Sequence, residues 1–147
     1  MHDDYKPAVD DWMAMLSIST RLNFPKIRER AIKELTARLE EIDPFDLIGL
    51  AVKYDVQQWL MPAYRRIVTR PNLISYEEAQ KVPFLIAVML MRSHEQHCKD
   101  SRSARHYSHP DPRLAADHII KSEVIMMDQV SNGADAVANP AKGYTDM

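Results

Sequence analysis

Five side chains able to ligate a metal or take part in nucleophilic chemistry fall within 16 residues: His94, His97, Cys98, His106 and His109. They include four of the six histidines and the only cysteine. On a helix, His94 and Cys98 stand one turn apart, and His106-x-x-His109 follows after a short polar loop. Four nitrogen and sulfur ligands, His94, Cys98, His106 and His109, are therefore available to close on zinc in a regulatory segment. The spacing matches no standard zinc motif, and a structural site needs hydrogen bonds behind its ligands that an unbraced polar loop does not supply. We favour the plainer reading, a solvated helix end running into a linker, and expect no metal and no cofactor. Cys98 and His94 as nucleophile and base would need a buried group to orient the imidazole, and none is legible beside them. With no other acid/base pair and no phosphate loop, the chain reads as non-catalytic.

The elements that would position such residues are helices. Leu47 to Val68 reads LIGLAVKYDVQQWLMPAYRRIV. Its apolar positions Leu47, Ile48, Leu50, Ala51 and Tyr54, then Trp59, Leu60, Ala63, Tyr64, Ile67 and Val68, recur at the helical period. This predicts a helical hairpin, with Asp55 capping the start of its second helix.

The hairpin has a copy 32 residues upstream, where LSISTRLNFPKIRERAIKEL (Leu16 to Leu35) aligns with IGLAVKYDVQQWLMPAYRRI (Ile48 to Ile67). Leu16 meets Ile48, Asn23 meets Asp55, Phe24 meets Val56, Ile27 meets Trp59, Ala31 meets Ala63 and Leu35 meets Ile67. Small residues at Ser17/Gly49, Ser19/Ala51 and Ala31/Ala63 suit close helix packing, and the Asn or Asp marks the same turn in both units as a cap. A period near 32 is that of stacked helix pairs, each leaving an apolar face for its neighbour to cover. The expected fold class is all-α, a short α-solenoid of antiparallel pairs. Its core is Trp12, Leu16, Phe24, Ile27, Ala31, Leu35, Leu50, Tyr54, Trp59, Leu60, Ala63, Tyr64 and Ile67.

Composition limits the function classes. The longest apolar run, Val82 to Met91, is far short of the ~20 residues that span a bilayer and contains Pro83. The opening MHDDYKPAVDDW is acidic and has neither a secretory nor a mitochondrial pattern. A single cysteine fits a reducing, intracellular compartment, cytoplasmic or nuclear. With 19 basic and 21 acidic residues and no basic stripe, nucleic acid is not the expected partner.

In chain order, residues 1–9 read as a polar leader and 10–98 as the helical module. The first helix runs from Asp10 or Asp11 to Arg21, and the second, opened by Pro25, to about Leu39. Asp43-Pro44 caps the third. Pro62 lies deep in the fourth and predicts a kink, or a short helix to Leu60 and a new one to about Arg70. Ser75-x-x-Glu78 is a capping box for a fifth, to about Val82. A sixth, from Pro83 to Cys98, buries Phe84, Leu85, Ala87, Val88 and Met91. Residues 99–147 read as a mostly disordered tail with a helix over 112–128, whose stripe is Leu114, Ala115, His118, Ile119, Ser122, Ile125 and Met126.

These residues carry a resemblance. Trp12 and Leu16, Phe24-Pro-x-Ile27-Arg28-x-x-Ala31-Ile32, Leu50-Ala-x-Lys-Tyr54-Asp-Val56-x-x-Trp59-Leu60-x-Pro62-Ala63-Tyr64, Arg70 and Ser75-x-Glu77-Glu78-Ala79 together resemble the helical region that follows the BTB domain in BTB/POZ proteins of mushroom-forming fungi. The match covers about Val9 to Arg92, and KYDVQQWLMPAY is its most distinctive stretch. It implies a BACK-like helical module that is not an enzyme, binds no cofactor and serves protein interaction. The expected partner is a BTB-containing relative or a second copy of the chain. Two departures stand out: the Leu-Gly usual near Lys81-Val82-Pro83 is missing, and so is the BTB domain, which leaves a non-functional truncated fragment as the alternative to a free-standing module. The N-terminal end of the stack is then expected to uncover Trp12, Met13 and Leu16 or their neighbours, with Met13 and Met15 as adaptable contacts.

Overall fold

The structure, a computed structural model, describes residues 6–103 and 112–137. Among the described residues it is all-α, with seven α-helices, two short 3-10 segments and no strand. The chain divides into two compact units, Met1–Ala63 and Tyr64–Met147.

In the first unit, α1 (Val9–Arg21) and α2 (Pro25–Thr36) form the first hairpin and α3 (Pro44–Lys53) opens the second. The Asp11 carboxylate accepts from the Ala8 N–H at 2.8 Å and fixes the start of α1. Arg38 holds the chain ahead of α1 by donating to the Pro7 carbonyl at 2.7 Å. Asp43 caps α3 as read, accepting from the N–H groups of Phe45 and Asp46 at 3.0 and 3.2 Å, with Pro44 at the first helical position.

The turns of the two repeats match in backbone detail, but not in the way their side chains suggested. Asn23 and Asp55 both have positive φ, 56° and 53°. Each sits just past the end of a helix, and neither is the cap of the next one. The N–H of Phe24 bonds the Ser19 carbonyl at 2.8 Å, and that of Val56 bonds the Ala51 carbonyl at 2.9 Å. This six-to-one closure satisfies the last carbonyls of α1 and α3 and requires a left-handed residue, which Asn and Asp tolerate better than other non-glycine residues.

After this turn the repeats diverge. Pro25 stands first in α2, where its missing N–H is not needed, so the helix begins at once. The second repeat has Gln57 there and Pro62 five residues on. It forms a 3-10 segment, Gln57–Trp59, and then α4 (Leu60–Thr69). Pro62 is thereby in the first turn of α4, where no backbone donor is lost from the helical ladder. The helix beyond it runs to Thr69, close to the expected end.

Leu16, Ala31, Leu35, Tyr54, Trp59, Ala63, Tyr64 and Ile67 are buried, and Trp12, Leu50 and Leu60 are partly buried. Phe24 and Ile27 are a correction to the expected core: they are 49% and 48% exposed. Their counterparts Val56 and Trp59 have a neighbouring layer over them and these two do not. Leu16, expected at an uncovered end, is fully buried, while Trp12 and Met13 are partly so. Gly49 needs no small side chain for packing, since a Cβ there would meet nothing within 4 Å.

The second unit is built on α6 (Phe84–Ser103), which continues past Cys98, preceded by the short α5 (Tyr76–Gln80) and followed by α7 (Pro112–Val137). The capping box forms as read: Ser75 Oγ accepts from the Glu78 N–H at 3.2 Å, and the Glu78 carboxylate accepts from the Ser75 N–H at 2.9 Å. The buried side of α6 is Ala87, Met89, Leu90, Ser93 and His94, whereas Phe84, Leu85 and Met91, read as inward, are exposed. Of residues 99–147, Lys99–Ser103 complete α6 and 112–137 form α7; the rest of that stretch lies outside the described residues.

α7 packs on α6 and is longer than the expected 112–128. Its inward positions are Ala116 and Ile120, both fully buried, one helical step from the stripe read from sequence, so that Leu114, Ile125 and Met126 are exposed. Two ion pairs hold that phase. Arg65 grips Asp117 through Nε and Nη2, both at 2.7 Å, and Arg92 meets Glu123 at 3.2 Å. Arg92 and Glu123 are equally far in sequence from the segment linking their helices, as an antiparallel pair requires.

Candidate functional site

Two places hold residues with functional chemistry, one in each unit. In the second, α6 places His94, His97 and Cys98 within one turn. His94 is 3% exposed. Its Nε2 lies 3.0 Å from the carbonyl oxygen of Arg70, so that nitrogen carries a proton and donates. Cys98 Sγ stands 3.9 Å from Nδ1. The orienting group that sequence reading did not find is thus a backbone carbonyl. At 3.9 Å, however, the sulfur is beyond the ~3.2 Å reach of direct proton transfer.

Arg70 explains why its carbonyl is so firmly placed. Its guanidinium grips the Glu78 carboxylate at 2.8 and 2.5 Å and also donates to the carbonyls of Asn72 and Leu73, both at 3.2 Å. The hydrogen bonds from Arg70 hold the Glu78 carboxyl far below the ordinary carboxylate range, at about 2. The end of α4, the capping box of α5 and the buried face of α6 therefore share one polar knot, in which His94 has a structural role. Burial, and then the neighbouring His94, push the His97 imidazole down from its ordinary value. A groove of about 630 Å³ opens beside this knot, lined by Pro71, Ile74, Met91, His94, Cys98 and Arg102 among others. As for zinc, His106 and His109 lie outside the described residues, and among the described residues no three His, Cys, Asp or Glu side chains gather as a metal site.

In the first unit the candidate is a surface. α1 carries two apolar stripes side by side: Trp12, Leu16 and Ser19 turn inward, while Met15, Ile18 and Leu22, at i, i+3 and i+7, are 40%, 54% and 60% exposed. Phe24 and Ile27 extend the exposed stripe across the turn. In the second repeat the equivalent positions are Leu47, Leu50, Tyr54, Val56 and Trp59, all buried except Leu50, which is partly so.

α2 reaches two of them through polar atoms. Arg28 Nη2 donates to the Tyr54 carbonyl at 2.6 Å, and Trp59 Nε1 donates to Thr36 Oγ1 at 2.9 Å. Of this stripe, Phe24 and Ile27 read as core from sequence, while the uncovered surface was expected at Trp12, Met13 and Leu16 or their neighbours. The signal that would have found the stripe is its one-to-one match with one that already has a neighbour.

Comparison with models of protein families, with curated proteins and with solved structures finds no match. No helix among the described residues is long and apolar enough to cross a membrane.

Proposed function

We propose that this chain is a non-catalytic protein–protein interaction module, a stack of helix pairs of the kind that follows the BTB domain in fungal BTB/POZ proteins. One observation carries the reading. Five large apolar side chains of the first repeat stand open where four of their five counterparts are buried and the fifth, Leu50, is partly so, and repeat arrays use such open faces to continue, or to bind. The shared six-to-one turn at Asn23 and Asp55 supports a repeated module, and the residues that carry the BTB-family resemblance span both repeats. A BTB-containing relative is the partner this resemblance suggests. The histidine and cysteine cluster fits the structural role that the Arg70 carbonyl gives His94.

The test is affinity purification of the tagged full chain from its own cells, beside a Leu22→Glu variant. Partner proteins that are recovered with the wild type and lost with the variant support the reading, above all if they contain a BTB domain. An identical partner set for both chains would sink it.

A further inference from the structure

We propose that the open face of the first repeat receives one amphipathic helix from another protein, a helix whose apolar stripe is flanked by acidic residues. This rests on the interaction reading above and names the partner's chemistry. The occupant follows from how the equivalent face is filled. In the second repeat a helix, α2, is tied to that face at two points, Arg28 donating to the Tyr54 carbonyl and Thr36 accepting from the Trp59 indole. By the 32-residue correspondence of sequence, the face beside α2 in the second repeat is matched in the first by Met15, Ile18, Leu22, Phe24 and Ile27.

Area favours a single helix over a second copy of the chain. Five side chains about half exposed offer at most on the order of 600 Å², since even a fully open aromatic side chain presents only ~150–250 Å². That is under the ~800 Å² per partner of a standard stable interface, yet it suits the row of anchors that a groove-bound helix uses.

Charge sets the flank. Between Arg21 and Arg30 the chain carries four basic residues, Arg21, Lys26, Arg28 and Arg30, against one acidic residue, Glu29. Arg30 is paired with Glu34 and Arg28 with the Tyr54 carbonyl, but Arg21 and Lys26 are exposed at the rim of the stripe. Carboxylates beside the partner's apolar stripe meet them there.

The test uses the full chain and two labelled helical peptides with the same leucine stripe, one flanked by glutamates and one by lysines. Fluorescence anisotropy should show saturable binding of the glutamate peptide, with the lysine peptide at least tenfold weaker at low salt. Ile18→Glu should weaken binding of the glutamate peptide at least tenfold. The double variant Arg21→Glu/Lys26→Glu should reverse the preference between peptides. Both changes are at exposed positions, and circular dichroism melts matching the wild type confirm folded variants. Equal binding of the two peptides, or binding that ignores Ile18→Glu, would overturn the proposal. So would self-association in sedimentation that Ile18→Glu abolishes, although the face would then still bind protein and the functional reading would stand. If neither peptide binds, the chain stays monomeric and its cellular partners survive Leu22→Glu, both readings fall.

Discussion

The indole Nε1 of Trp59 donates to Thr36 Oγ1 at 2.9 Å, and the same hydroxyl donates to the Ile32 carbonyl at 2.6 Å. A fully buried tryptophan of the second repeat is therefore tied to the last turn of α2 in the first. Its hydrophobic contribution and its polar tip depend on different residues and can be separated. Trp59→Ala should cost about 3–5 kcal/mol through lost packing and a residual cavity. Thr36→Val keeps the volume but leaves the indole N–H without its acceptor, and should cost about 1–3 kcal/mol. Chemical denaturation midpoints measure both, and a loss below about 1 kcal/mol for Trp59→Ala would place this side chain outside the core.

Asp55 supplies a test of opposite sign. A helix N-cap replaced by glycine loses a few tenths of a kcal/mol. A non-glycine residue held at φ 53° is strained instead, and glycine relieves that strain. Asp55→Gly should raise stability, by up to ~1 kcal/mol, and Asp55→Val should lower it. Thermal melts that order the three proteins Val, Asp, Gly support the left-handed turn, and a destabilised glycine variant would restore the capping role.

The Arg70–Glu78 pair makes stability depend on pH. Hydrogen bonds from Arg70 lower the Glu78 carboxyl from its ordinary 4.5 to about 2. A depressed carboxylate stabilises the fold above its unfolded value, and the benefit is lost as pH falls from about 4.5 toward 2. The two side chains remain 23% and 28% exposed, so solvent screening limits the contribution to ~1 kcal/mol. Glu78→Gln keeps the capping box but not the charge. It should melt below the wild type at pH 6, with the gap closing toward pH 2; a gap constant across that range would remove Glu78 from the acid response.

α7 should be part of the second unit's cooperative fold. Ile120 is fully buried, so Ile120→Ala should cost about 2–5 kcal/mol. Asp117→Asn, which weakens a partly exposed pair with Arg65, should cost no more than ~1 kcal/mol. Denaturation followed by far-ultraviolet circular dichroism separates the two, and an Ile120→Ala protein as stable as the wild type would show α7 to be loosely attached.

Local features were the most legible in the sequence. Asp43-Pro44 and the Ser75/Glu78 box announce helix starts through a handful of adjacent residues, and the 32-residue offset emerges because duplicated packing preserves residue size at each position. Helix phase was harder to read. On α6 and α7 several apolar residues compete for the buried side, and the choice is made by distant partners such as Arg65 for Asp117, 52 positions apart. Phe24 and Ile27 were misassigned for a related reason: periodicity reports which side of a helix is apolar, and only the next layer decides whether that side is covered. At the histidine cluster the missing piece was a main-chain carbonyl, that of Arg70, which no side-chain pattern reveals.

Pro62 has a mechanical consequence. An α-helix wound back from Leu60 to Gln57 would need a backbone N–H at position 62 and would drive the proline ring against the carbonyl four residues earlier. The ring is a stop on a screw thread, forcing the three residues before Leu60 into the steeper 3-10 pitch. Over three residues that pitch turns the chain about 60° further and lengthens it by about 1.5 Å relative to an α-helix. Ile27, on the unobstructed thread that starts at Pro25, keeps the α-helical heading. The angular position and reach of Trp59 toward Thr36 are thus gauged by a ring three residues downstream.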